Sequence, residues 1–376
     1  MTHTLGRPTN WFALADLNED GYTDAALTTD ENNHEVLDLF LGDGHGRFNA
    51  GPRISADADY GRVQVVDFNN DGRPDLVAVA RRYDSNFVGA EVFLSSGSGT
   101  FLRSASLSTN KGTVDVLVGD VNHDGHADVV LLNGNQPLSV FLGNGDGTFS
   151  GELLVPVVTN GPLGGAALAD FDEDGFLDLA LSQGVGSATD IFGAFWLRGD
   201  GRGGFGNPVH LNPDYAGLDA QASFIGDVQA ADFNGDGHAD IGVAQFGGIT
   251  IFQGNGCGEF ARPSAFFAIK GGPLRVLAAD LNGDGLVDLS APAHSFLEQN
   301  GAAAVQFTLL FNNTAPARVV AGDADCDETV QPSDLTALTR RLFSRLYRPA
   351  CVGADANGDT LITAADLTEI VRTMRP

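Results

Sequence analysis

Six times along the chain, oxygen-bearing side chains recur in a nine-residue pattern, Asp-x-Asn/Asp-x-Asp-Gly-x-x-Asp, whose spacing suits one kind of chemistry, the capture of a hard cation. The copies supply Asp16, Asn18, Asp20 and Asp24; Asp67, Asn69, Asp71 and Asp75; Asp120, Asn122, Asp124 and Asp128; Asp170, Asp172, Asp174 and Asp178; Asp232, Asn234, Asp236 and Asp240; and Asp280, Asn282, Asp284 and Asp288. Carboxylates this close repel one another and open the loop unless a cation lies among them. Ca²⁺ takes about six to eight oxygens, a backbone carbonyl included, with a Gly permitting the sharp turn. Position 7 offers that carbonyl, from Tyr22, Arg73, His126, Phe176, His238 and Leu286. Mg²⁺ fits less well, since it keeps several waters and uses few carboxylates. A metal-free hairpin turn is the alternative for any single copy; six in register argue against it. The fourth copy carries Asp172 where the others have Asn, and should bind somewhat more tightly.

These loops need elements to hold them, and the flanking residues say which. Runs such as VQVV before Asp67 and LVAVA after Asp75 are short, rich in Val, Ala and Leu, and bounded by Gly and Asp, which reads as strand–loop–strand. A second motif follows each of the first five copies: a strand ending in a Gly-rich turn and a Phe, at Phe48, Phe101, Phe149, Phe205 and Phe260. Gly supplies the positive φ of these turns, and the Phe can plug the gap between neighbouring units. Successive loops start 51, 53, 50, 62 and 48 residues apart. About 50 residues with roughly four strands per unit is the arithmetic of a β-propeller blade.

Residues 10–313 resemble the FG-GAP/VCBS repeats of integrin-α-type propellers, whose blades carry this same calcium loop. The resemblance implies a mainly β propeller of six four-stranded blades over residues 1–313, with mostly structural calcium. The sixth unit stops at Leu309–Asn313 without its Gly turn, so the N-terminal stretch is expected to lend it an outer strand; a seventh blade lost upstream is the alternative. Cys257 replaces a polar turn residue in the fifth unit and reads as a free thiol.

After Asn313 the pattern changes. Residues 314–320 form a linker, and two 12-residue loops follow, 32 residues apart. Oxygen ligands fall at positions 1, 3, 5 and 12: Asp323, Asp325, Asp327 and Asp334, then Asp355, Asn357, Asp359 and Asp366, with the position-7 carbonyls of Thr329 and Leu361. Each loop precedes an amphipathic helical pattern. Residues 321–376 thus look like a type I dockerin, which implies a small α-helical, EF-hand-like module that attaches to a cohesin-like or other cell-surface protein. Two departures weaken that comparison: Glu328 and Thr360 replace the position-6 Gly, and Pro332–Ser333 and Ala364–Ala365 replace the hydroxyl pairs of cellulosomal forms. Cys326 and Cys351 lie in matching parts of the module, where a bridge between them would help a thin core; two buried thiols are the alternative.

The charge balance agrees with the metals. The chain has 376 residues with 21 basic and 49 acidic side chains, a formal net charge of −28. The eight proposed sites use 26 Asp, and eight Ca²⁺ ions would bring the charge to −12. So acidic a chain does not bind nucleic acid through phosphate neutralisation, and no apolar run approaches the roughly 18–20 residues of a spanning helix. Because free calcium is scarce in a cytosol, the design suits an extracellular or cell-surface setting. The expectation is then a start upstream of Met1, since residues 1–17 carry no secretion signal.

No nucleophile elbow, HExxH or phosphate loop is present, so no catalytic residue and no organic cofactor is assigned. His123, His126 and His238 read as outward-facing surface groups. Arg198-Gly199-Asp200 spells an integrin-ligand tripeptide but sits where other units have their Gly turn. The long fourth interval, with Trp196, Asp214 and Tyr215, and the Arg81-Arg82-Tyr83-Asp84 cluster read as exposed loop variation. The functional reading is a calcium-binding adhesion or binding platform for a protein or glycan, fastened through its tail. The rivals are a scaffold-docked polysaccharide lyase or hydrolase and a purely structural spacer.

Overall fold

The apolar flanks of the Asp-rich loops are too short for stable helices and bury best as paired strands. The computed structural model describes residues 9–31, 34–45, 47–82, 85–109, 111–134, 137–157, 162–184, 193–211, 225–245, 248–261, 265–269, 275–280, 285–295, 304–310 and 312. There the flanks form the first and second strands of six successive antiparallel sheets. The expectations for residues 1–8, for Asn282 and Asp284, for Asp214 and Tyr215, and for the whole module at 321–376 lie outside the described residues.

The sheets occupy residues 9–55, 59–108, 115–155, 163–210, 225–268 and 277–310. The second is representative, with strands Asp59–Val66, Asp75–Arg81, Val88–Ser95 and Phe101–Ser108, each antiparallel to the next. Five sheets have four strands, and the sixth has three among the described residues. The fold is therefore mainly β, a six-bladed β-propeller, with no helix among the described residues. The strand Thr9–Ala15 opens the first blade by pairing with Asp24–Glu31.

In blades three to five the second strands, Asp128–Leu132, Asp178–Gln183 and Asp240–Gln245, are buried at every position. A strand covered on both faces cannot alternate polar and apolar residues, which explains the unbroken Val, Leu and Ala runs. The chain divides into two units, residues 1–163 with 199–205 and residues 164–198 with 206–376. In the first, Leu17, Leu37, Leu39, Tyr60 and Leu76 form one core cluster and Phe68, Val77, Val92, Val129 and Leu131 another. In the second, Phe171, Val228 and Ile241 form one, and Phe233, Ile249, Ile251 and Val276 another.

In a four-stranded meander the first and third connections emerge at the same end, so each Asp-rich loop lies beside its own blade's Gly turn. The turn also reaches the preceding blade. Gly147 N–H donates to the Phe68 carbonyl at 3.1 Å, Gly203 to Val121 at 3.1 Å, and Gly258 to Phe171 at 3.3 Å. Gly147 has φ +79°, and a Cβ there would run into the Leu94 side chain, so only Gly makes this approach. The Phe that ends the turn fills the same seam: Phe149 meets Phe68 edge-on at 5.3 Å between centroids, and Phe260 meets Phe171 at 5.7 Å. Blade six lacks the Gly turn and uses a side chain instead. Asn312 Nδ2 donates to the Phe233 carbonyl at 2.7 Å, the equivalent acceptor on blade five.

This seam predicts the effect of its removal. Phe149→Ala leaves a gap between blades two and three and should lower unfolding free energy by about 3 kcal/mol. Urea unfolding of the variant against the parent chain measures it, and a change below about 1 kcal/mol would show that the seam is not held by this ring.

Candidate metal centres

The five Asp-rich loops that are described throughout share one hydrogen-bond scheme. The position-1 carboxylate accepts the N–H of position 5 with one oxygen and that of the position-6 Gly with the other: 3.0 and 2.8 Å at Asp16, and the same pair at Asp120 and Asp170. Asp67 and Asp232 repeat it, and in the sixth loop Gly285 N–H donates to Asp280 at 2.9 Å. The position-5 carboxylate accepts the N–H of position 7, at 2.8–2.9 Å from Tyr22, Arg73, His126, Phe176 and His238. The Gly at position 6 has φ between +82° and +92°, which strains any other residue. Backbone donors thus turn the acidic side chains inward, onto their own loop.

Position 9 does something the spacing does not reveal. Asp24, Asp75, Asp128, Asp178, Asp240 and Asp288 are all fully buried. Asp128 takes Val121 N–H on one oxygen at 2.9 Å and Gly143 N–H, from the Gly turn, on the other at 2.8 Å. Asp24, Asp75 and Asp240 make the same two bonds, to Leu17 and Gly42, Phe68 and Ser95, and Phe233 and Gly254. Each is a clamp between loop and turn. Burial pushes Asp128 up to about 6 and Asp240 up to about 7, with the loop's other carboxylates adding to it.

The acidic groups at positions 3 and 5 need a positive partner. In four loops the Asn amide provides one, Nδ2 donating to position-5 Oδ2 at 2.9 Å in Asp20, 3.0 Å in Asp71, and 2.8 Å in Asp124 and Asp236. In the fourth loop Asp172 has no such hydrogen, and Arg198 supplies the charge, at 2.7 Å from Asp172 and 2.6 Å from Asp174. One oxygen each of Asp170, Asp172 and Asp174 lies within 4.8 Å of the others. Ca²⁺–oxygen bonds of about 2.3–2.6 Å span up to roughly 5 Å across the ion, so the spacing of these oxygens matches Ca²⁺, while Arg198 already occupies two of the three carboxylates. Asp172 Oδ1 is buried with no hydrogen-bond partner among the described residues, and burial together with Asp178 and Asp174 pushes this carboxyl up to about 7.

The histidines depart from the expectation of outward-facing groups. Position 4 of one loop touches position 7 of the next: Glu19 meets Arg73 at 2.8 Å, Asn70 meets His126 at 2.9 Å, and Glu173 meets His238 at 2.6 Å. The Glu173 carboxylate holds the half-buried His238 above its ordinary value. His123 alone of the three is exposed.

Within blade two lies a buried charge cluster that sequence reasoning missed. Glu91, on a third strand, is fully buried and pairs with Arg82 and, at 3.3 Å, with Arg103; Tyr60 donates its hydroxyl to it at 2.7 Å. Arg82, expected to be exposed, is half-buried there, whereas Arg81 is exposed; Tyr83 and Asp84 lie outside the described residues. Nearby Arg62 stacks on Trp11 at 4.8 Å and bonds Asp115 at 2.8 Å. The available signal was register: Trp11, Arg62, Asp115 and Asp227 each stand five residues before an Asp-rich loop.

Two further readings change. Arg198 is tied to the fourth loop, and Asp200 accepts the N–H groups of Arg202 and Gly204 at 2.8 and 2.9 Å, so both charged ends of that tripeptide are engaged. Cys257 is disulfide-bonded rather than a free thiol. The expected bridge between Cys326 and Cys351 lies outside the described residues.

The FG-GAP-like repeat family matches residues 16–78, 67–131, 120–181 and 232–290, and the chain belongs to it. No curated protein sequence matches. Among solved structures, a lectin from Agrocybe aegerita that recognises non-reducing terminal N-acetylglucosamine is similar, with a TM-score of 0.53 at 20% identity over 80% of both chains. The α-L-arabinofuranosidase Arb93A from Fusarium graminearum, in complex with an iminosugar inhibitor, gives 0.52 at 10% identity over 80% of this chain and 92% of its own. Identities this low show a shared fold alone.

Two outcomes are expected. Asp128→Asn places an amide against one of two buried N–H donors and should cost about 1–3 kcal/mol in a chelator, read by urea unfolding. Asp128, Asp172 and Asp240 titrate above the ordinary 3.8 when folded. The folded state therefore holds protons the unfolded state has lost, and this contribution, present at low pH, vanishes as pH rises through about 6–7. Melting temperature in a chelator should fall between about pH 5 and pH 8; a rise would contradict the burial of these carboxyls.

Proposed function

We propose that this chain is an extracellular or cell-surface calcium-binding protein whose propeller is a platform for a protein or glycan, attached to a cohesin-like or other surface partner through its C-terminal module. The observation that carries the calcium assignment is the repetition of one loop geometry in which backbone N–H groups hold three or four acidic side chains inward. Asp or Asn at positions 1, 3 and 5 and Asp at position 9 would hold the ion with the position-7 carbonyl, as in Asp120, Asn122, Asp124, Asp128 and His126. The ion supplies charge neutralisation. With it bound, the inward carboxylates cease to oppose folding and the loop ends of the blades stay closed. A net charge of −28 makes such neutralisation valuable.

Support for a glycan ligand is the named ligand of the similar lectin and the sugar-directed enzyme that shares the fold. The second of these keeps a carbohydrate-active enzyme as the rival reading. No helix among the described residues is long and apolar enough to cross a membrane.

A thermal melt of the whole chain in EGTA and then in millimolar Ca²⁺ or Mg²⁺ tests the metal. Calcium at a hundredfold its dissociation constant stabilises by about 2.7 kcal/mol per site, so a rise of many degrees is expected with Ca²⁺ and little with Mg²⁺. Equal melts would reduce the loops to turns. A labelled-glycan binding screen in calcium, with release of reducing sugar followed on the ligands found, separates platform from enzyme: retention without cleavage supports the platform, and turnover supports the rival.

A further inference from the structure

The fourth blade differs from its neighbours at two positions at once. Its loop has Asp172 where the other five have Asn, and its third strand ends in Arg198 where the first, second, third and fifth have Leu41, Leu94, Leu142 and Gln253. The repeat has gained one carboxylate and one guanidinium together, which leaves the summed formal charge of positions 1, 3, 5 and 9 and the strand end equal to that of the others. The two gained groups are in contact, Arg198 Nε lying 2.7 Å from Asp172 Oδ2. Its Nη2 is 2.6 Å from Asp174 Oδ2, the position-5 oxygen that the Asn amide takes in the other loops. Both carboxylates are only 3% exposed, so this pairing is shielded from solvent on the acid side.

We propose that Arg198 is a resident counter-ion that keeps calcium out of the fourth loop. Resting on the calcium reading above, this makes blade four the one whose closure is independent of the metal. A guanidinium keeps its charge at any working pH and binds two oxygens in a fixed fork, so it competes where a neutral amide does not. A divalent ion entering this loop must first displace Arg198 from both carboxylates, leaving the guanidinium without its partners. In the other loops only an amide has to turn aside. Blade four would then hold its shape when calcium is withdrawn.

Equilibrium dialysis of the whole chain against ⁴⁵Ca²⁺ decides it, with melts in EGTA alongside. Arg198→Gln should bind one more calcium per chain than the parent, and in EGTA it should melt lower by roughly 2–4 °C. The double variant Asp172→Asn/Arg198→Gln restores the composition of the other loops. It should also bind one more calcium, while recovering most of the lost melting temperature, and it serves as the test if the single variant folds poorly. If the parent binds calcium and neither variant binds more, Arg198 excludes nothing and the proposal is overturned. Binding by none of the three chains is a different failure: it removes the calcium reading itself, and the exclusion falls with it.

Discussion

The fold turns on a single repeated bond pair, the buried position-9 carboxylate that accepts one N–H from its own loop and one from the Gly turn of the same blade. In Asp24, Asp75, Asp128 and Asp240 the two donors come from segments more than ten residues apart in sequence, and the carboxylate is fully buried between them. Only an ionised or acceptor-only side chain of this length can take both. Once loop and turn are fixed to each other, the turn can reach the carbonyl of the preceding blade and set its Phe in the seam. Blade geometry and blade-to-blade packing thus follow from the same residue.

That arrangement has an electrostatic cost. Placing three or four carboxyls around one small loop and burying one of them raises their proton affinity, as Asp128, Asp172 and Asp240 show. The chain meets the cost in two ways among the described loops: with an Asn amide in four and with the Arg198 guanidinium in one. The neutral amide is a weaker answer than a divalent ion, which touches several oxygens at once. On the calcium reading proposed above, the four amide-bridged loops await that stronger answer, and Arg198 gives the fourth loop its own.

Membership of the FG-GAP-like repeat family fixes the architecture and leaves the ligand open. A lectin and an arabinofuranosidase share the fold at 20% and 10% identity, so one scaffold serves binding and hydrolysis alike, and function lies in loops and seams rather than in the sheets. The buried Glu91 cluster belongs to this level. Its arginines come from a loop and an outer strand, and its bonds tie that loop and the first, third and fourth strands of blade two to one buried carboxylate.

The sequence by itself determined the repeating unit and six copies of it, while leaving six or seven blades open. Six Asp-rich loops in register, each flanked by short apolar runs and followed in five cases by a Gly turn and a Phe, determined strand–loop–strand, the four-stranded blade and six repeats, because period and turn chemistry are local properties. It also placed Phe149 and Phe260 as plugs. Only the tertiary structure decided what lies across a sheet or a seam. That Asp128 is a clamp, that Arg198 and Asp172 meet, that His238 leans on Glu173, and that Glu91 gathers Arg82, Arg103 and Tyr60 all depend on residues brought together from distant positions. Spacing along a chain carries the direction of a side chain within its own strand; it does not carry the identity of the group that the next strand or blade sets opposite it.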